Sequence, residues 1–90
     1  MQLIQTATFR KIYKKLHTNQ LAAVNKAIQT VIENPEIGEK KKGDLAWLWV
    51  YKFKVLGQLT LLGYAFDGGK IILTLVYMGS HENFYRDLKN

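Results

Sequence analysis

Trp47-Leu48-Trp49-Val50-Tyr51-Lys52-Phe53-Lys54-Val55 is the stretch from which the fold can be read. A strand turns successive side chains to opposite faces, so Trp47, Trp49, Tyr51, Phe53 and Val55 fall on one side and Leu48, Val50, Lys52 and Lys54 on the other. The first side is apolar throughout and reads as core. The second starts apolar and ends in two lysines, which suggests a sheet covered by helices on one face only.

Downstream of this strand the period of two continues. Leu56-Gly57-Gln58 reads as a turn, Leu59 to Phe66 as a second strand, Asp67-Gly68-Gly69 as a tight hairpin turn suited to positive φ, and Lys70 to Met78 as a third strand. Ile71-Ile72-Leu73-Thr74-Leu75-Val76-Tyr77 is almost continuously apolar, as expected of a strand buried on both faces. Gly79-Ser80 is expected to break it. The tail from Ser80 to Lys89 reads as a short helix capped by Ser80, with Glu82 and Asp87 around it.

Upstream, the period lengthens. Leu3 and Ile4 suit a short first strand, after which Phe9, Ile12, Tyr13 and Leu16 recur at helical spacing from a start at Thr6 or Thr8. Arg10, Lys11, Lys14 and Lys15 lie on the other side of that helix. Thr18 or Asn19 can cap a second helix whose apolar stripe is Leu21, Val24, Ala27, Ile28 and Val31. It should stop at Glu33 or Asn34, because Pro35 lacks the N–H that a helix needs and pushes its predecessor out of the α region. Only His17-Thr18-Asn19 or so separates the two helices, so they form an antiparallel hairpin. Residues 36–44, with Lys40, Lys41 and Lys42 at their centre, are polar and glycine-bounded and read as a surface loop. The fold class is α+β: an N-terminal helix hairpin packed on a small, mostly antiparallel sheet, with a short C-terminal helix, in one domain over residues 1–90.

Composition narrows the function. With 48% hydrophobic and 22% charged residues the 90-residue chain is ordinary for a globular protein, and so short a chain buries only about 60 to 65% of its unfolded surface. It has no cysteine, which excludes disulfides and thiolate zinc sites and suits a reducing cytoplasm. The N-terminus lacks the pattern of a signal peptide, and no apolar run is long enough to span a membrane. Thirteen Lys/Arg against seven Asp/Glu give a net charge of +6, which favours a polyanion or an acidic protein as partner.

The candidate functional residues sit late in the chain. Lys52 and Lys54 leave one sheet face with stems about 7 Å apart, near the spacing of adjacent phosphates. Fixed like charges at that distance repel unless an anion lies between them. His81 and Tyr85 are four apart, and on a helix they share one face, where an imidazole can exchange protons near neutral pH and a phenol can hydrogen-bond beside it. Lys41 and Lys42 can reach phosphate from the loop. His17 reads as a turn residue. No metal-binding spacing, glycine-rich phosphate loop or nucleophile elbow is present, and no cofactor is expected.

A helix hairpin ending in Glu33-Asn34-Pro35, then Gly43-Asp44-Leu45, the Tyr51-Lys52-Phe53-Lys54 strand, a meander and a His81 to Tyr85 tail together resemble the RelE/ParE superfamily of bacterial type II toxin–antitoxin toxins. The resemblance covers nearly the whole chain. It implies a cytoplasmic bacterial toxin that cleaves mRNA on the ribosome without a metal or, alternatively, inhibits DNA gyrase by binding, and that is neutralised by a cognate acidic antitoxin. Carried over by position, Lys52 and Lys54 become the phosphate-stabilising or base lysines, Tyr85 the tyrosine that orients or stacks on substrate, and His81 the proton donor. Arg86 becomes an RNA-phosphate contact, and Lys41 and Lys42 of the loop, with Lys70, are expected to add to it. One departure stands out: RelE-like nucleases commonly place an arginine on the strand after the paired lysines, where this chain has Leu59, Thr60, Leu61 and Leu62.

Overall fold

The computed structural model describes residues 1–89. The elements run β1 (Gln2–Gln5), α1 (Ala7–Lys14), α2 (Thr18–Glu33), β2 (Glu39–Lys40), a 3-10 turn at Gly43–Leu45, β3 (Trp49–Val55), β4 (Gln58–Asp67), β5 (Ile72–Ser80) and α3 (Phe84–Lys89). The strands form one sheet in the order β1-β5-β4-β3-β2. Only the β1–β5 pair is parallel. This is the α+β arrangement expected from the sequence, and no helix among the described residues is long and apolar enough to cross a membrane.

The helix hairpin covers one sheet face. Phe9, Val24 and Val31 pack against Val55, Leu62, Tyr64, Leu73, Leu75 and Met78, with Trp49, Tyr51, Phe53 and Phe66 around them. Thr6 starts α1 by accepting from the Phe9 N–H at 3.1 Å, and its hydroxyl donates to the Val76 carbonyl at 2.7 Å, so one side chain both caps the helix and ties it to β5. The second helix begins one residue earlier than the sequence suggested. His17 takes the N-cap position, and the Gln20 side chain accepts from its backbone N–H at 2.8 Å, which does part of the work expected of Thr18 or Asn19.

A second, smaller cluster occupies the opposite face: Leu48, Val50, Leu61 and Phe84 are buried, with Tyr77, Tyr85 and Leu88 packed against them. Here Gly63 is required. A Cβ on it would stand 2.7 Å from Cζ of Phe84 and 3.3 Å from Cδ1 of Leu48, so any side chain would lift α3 off the sheet.

Several local expectations are corrected. Trp47 is not core but 48% exposed, because the 3-10 turn and the Leu48 N–H to Leu45 carbonyl bond break the alternation before β3 begins. The 36–44 loop contains β2, in which Glu39 and Lys40 pair with Val50 and Trp49. The Asp67-Gly68-Gly69 turn does not use positive φ at its glycines. Asp67 Oδ1 instead accepts from the backbone N–H groups of Gly69 and Lys70, and the positive φ falls on Ile71, at 55°. The two-residue β3–β4 turn has positive φ at both Leu56 and Gly57, as a type I′ hairpin requires. Gly79-Ser80 does not break β5 but forms its last two residues, since Leu61 pairs with Gly79 and Thr60 with Ser80. Ser80 is therefore not the cap of α3, whose first bond runs from the Asp87 N–H to the Asn83 carbonyl.

The buried Tyr64 hydroxyl fixes the path from α2 to β2. It donates to the Pro35 carbonyl at 2.7 Å and accepts from the Gly38 N–H at 3.0 Å, while burial raises its pKa. Tyr64→Phe leaves both backbone groups without this partner and is expected to lower unfolding stability by about 1 to 3 kcal/mol. Urea unfolding checks this. A variant as stable as the parent would mean that water replaces the hydroxyl.

Candidate functional site

The face opposite the helix hairpin carries the candidate site. Because β3 runs in register with β4, Lys52 lies opposite Leu61 and Lys54 opposite Leu59, and Leu61 in turn faces Gly79 on β5. His81 prolongs the pattern, its backbone N–H donating to the Leu59 carbonyl at 3.1 Å. Two rows therefore cross the sheet, Lys52–Leu61–Gly79 and Lys54–Leu59–His81. Their lysines and histidine are exposed. Since β2 covers only Trp49 and Val50, both lysines stand on a stretch of β3 with no outer neighbour. There they also blunt an open strand edge.

Lys41 and Tyr85 close the other side of this patch. Glu39 faces Val50 across the β2–β3 pair, and the Lys41 ammonium lies 2.5 Å from its Oε1. The same ammonium is 5.3 Å from the Tyr85 ring centroid. The Tyr85 ring meets Phe84 edge-on at 5.0 Å, and its hydroxyl is buried without a hydrogen-bond partner. Lys41 thus lies over one face of the ring.

Electrostatics bind the cluster. The hydrogen bond from Lys41, then its charge, holds the Glu39 carboxyl below its ordinary pKa, and Lys52 adds to the effect. Lys41 in turn is held above the ordinary lysine value, first by Glu39 and then by Tyr85. The pairing is therefore fully present above the ordinary carboxylate range and is lost as pH falls through the lowered value of Glu39. In Lys41→Met, carbon-detected NMR of the Glu39 carboxyl is expected to give a titration midpoint at higher pH than in the parent. An unmoved midpoint would mean that the pair does not persist in solution.

The remaining candidates separate. His81 lies in the turn between β5 and α3, so it and Tyr85 do not share a helix face as the tail pattern implied. Lys42 is exposed just before the 3-10 turn. Arg86 donates through Nη2 to Asn83 Oδ1 at 2.6 Å and lies 3.7 Å from Asp87 Oδ1, an arrangement that turns it along α3. Lys70 follows Asp67 in the β4–β5 turn, at the far end of the sheet from Lys54. The sequence reading missed Glu39. Only the two-residue strand β2 brings it to the lysine face, and nothing in the polar run 36–44 marks it.

Comparison with known proteins gives a consistent answer. The model of the ParE-like toxin of type II bacterial toxin–antitoxin systems matches residues 3–89. The fold is similar to the toxin chain in the intact E. coli RelBE toxin–antitoxin complex, at TM-score 0.71 and 20% identity, covering 88% of this chain and 94% of that one. It is similar too to a YoeB/ParE toxin from Agrobacterium tumefaciens, at TM-score 0.69 and 19% identity over 90% and 99% of the two chains. A conserved hypothetical protein of Helicobacter pylori, HP0892, aligns at TM-score 0.56 and 20% identity over 93% and 98%. Among curated proteins, none matches in sequence. The match over nearly the whole length, on this fold, places the chain in the ParE-like family of type II toxin–antitoxin toxins.

Proposed function

We propose that this toxin is a metal-independent endoribonuclease that cuts mRNA on the ribosome. The observation that supports the reading best is the pair of rows that sets Lys52, Lys54 and His81 on one open sheet face. The ribose 2′-OH gives up its proton to water as O2′ bonds to phosphorus. Lys52 and Lys54 stabilise the added charge on the phosphoryl oxygens. As the bond to O5′ breaks, His81 protonates the leaving oxygen, leaving a 2′,3′-cyclic phosphate and a 5′-hydroxyl. Lys41 and Tyr85 form the wall against which the substrate is placed, so Tyr85 is a positioning residue. Lys42 and Arg86 contact flanking phosphates, Arg86 after exchanging its Asn83 bond. The partner in the resting cell is an acidic antitoxin, as suits the net charge and the antitoxin complexes known for similar toxins.

A coupled transcription–translation extract tests this directly. Translation should stop with codon-phased mRNA cuts, and the cuts should fade in His81→Ala. A second reading, inhibition of DNA gyrase by binding, is favoured by one feature: the positions opposite the lysines are Leu61 and Leu59, so no arginine joins them. Blocked plasmid supercoiling with intact mRNA would replace the first reading by the second.

A further inference from the structure

A concavity of about 490 Å³ lies at the end of the sheet away from Lys54, between the Leu45–Leu48 turn and the β4–β5 turn. Trp47, Trp49, Phe66 and Ile72 line it, with Lys40 and Lys70 among its walls. Trp47 is 48% exposed, and no other aromatic stands among the exposed large apolar residues described. The Lys40 ammonium is held 6.0 Å from the Trp49 ring centroid. Asp67 is the acidic member of the lining, but its Oδ1 accepts from two backbone N–H groups of its own turn, which draws its charge inward. An exposed indole in a concavity that two lysines help to line is the composition of a single-strand nucleic-acid platform: every base has a π-face to stack, and the cations follow the backbone.

We propose that this concavity is a nucleobase-and-phosphate subsite for single-stranded RNA, with Trp47 as the stacking surface and Lys40 and Lys70 as the phosphate contacts. It rests on the RNA-cutting reading and extends it. β4 has ten residues, so at about 3.4 Å per residue its ends are about 30 Å apart. One strand of RNA reaching from the Lys54 row to Trp47 would therefore be gripped at both ends of the sheet, with α3 between the grips. Lys70, which the lysine patch leaves isolated, thereby gains a role.

The experiment uses the whole chain and a fluorescein-labelled oligouridylate with 2′-O-methyl groups, which cannot be cut. Binding is read by anisotropy and by tryptophan emission. The oligonucleotide should quench emission to saturation. Trp47→Ala should weaken binding about 5- to 100-fold and remove most of the quench, while Trp47→Phe, which keeps a ring, should bind within a few-fold of the parent. Lys70→Ala should reduce the slope of log affinity against log salt by about 1. Equal binding by Trp47→Ala, or a polyglutamate peptide that quenches Trp47 as strongly and displaces the RNA, would overturn the proposal. The translation extract separates the two readings: quenching without mRNA cutting keeps the subsite and removes the nuclease, and parent emission that RNA leaves unquenched, with cutting undiminished in Trp47→Ala, removes the subsite alone.

Discussion

Lys52→Ala is expected to lower the rate of the proposed ribosome-dependent mRNA cutting by ~10² to 10³, the usual loss when one preorganised charge is taken from a developing oxyanion. The effect should be large because Lys52 has so little help. Its cross-strand neighbour is Leu61, and Lys41 is engaged by Glu39 and Tyr85. Stability should not follow activity. Lys52 is exposed and makes no ion pair among the described residues, so unfolding stability is expected to stay within the ±0.5 kcal/mol typical of surface changes and the thermal midpoint to move little. Single-turnover cutting on programmed ribosomes, with calorimetry on the same samples, makes the comparison. Full activity in Lys52→Ala would end the paired-lysine mechanism, and a matching fall in midpoint would mean that the residue is structural.

Phe84→Ala should have the largest effect on structure. Phe84 is fully buried, its ring tilted against that of Tyr77 at 5.4 Å between centroids and seated over Gly63, where nothing larger than hydrogen fits beneath it. Truncating such a ring costs about 3 to 5 kcal/mol in lost transfer and cavity energy. A six-residue helix has little stability of its own and depends on packing. The Tyr77 hydroxyl bond to Asp87, at 2.9 Å, is a partly exposed contact and cannot hold α3 alone. The α3 amides should therefore lose protection from hydrogen exchange while those of β3, β4 and β5 keep theirs, and Tyr85 should leave Lys41. Unchanged α3 protection would show that Tyr77, Leu88 and the Asp87 bond suffice.

These two expectations depend on information of different kinds. That Lys52 and Lys54 share a face, opposite Tyr51, Phe53 and Val55, follows from the two-residue period alone. The apolar stripes of α1 and α2 and the stop before Pro35 follow similarly from local chemistry, as does the Leu56-Gly57 turn. Trp47 did not follow, because period counting cannot see that a 3-10 turn ends just before the strand. The β2 strand was hidden for another reason: two residues carry no periodicity, and their pairing is decided by β3.

Apart from β2, the entry to β3 and the start of α3, the sequence by itself determined the elements, the face of each, and the lysine pair, since these depend on steric and hydrophobic preferences within a few residues. The tertiary structure alone decided which charges meet. Strand register set His81 in the row of Lys54. The packing of Phe84 on Gly63 brought Tyr85 beneath Lys41, and the length of β4 sent Lys70 to Trp47 rather than to the lysine patch. The physical reason is that residues far apart in the chain are brought together by pairing and close packing, and neither leaves a periodic mark in the residues that it joins.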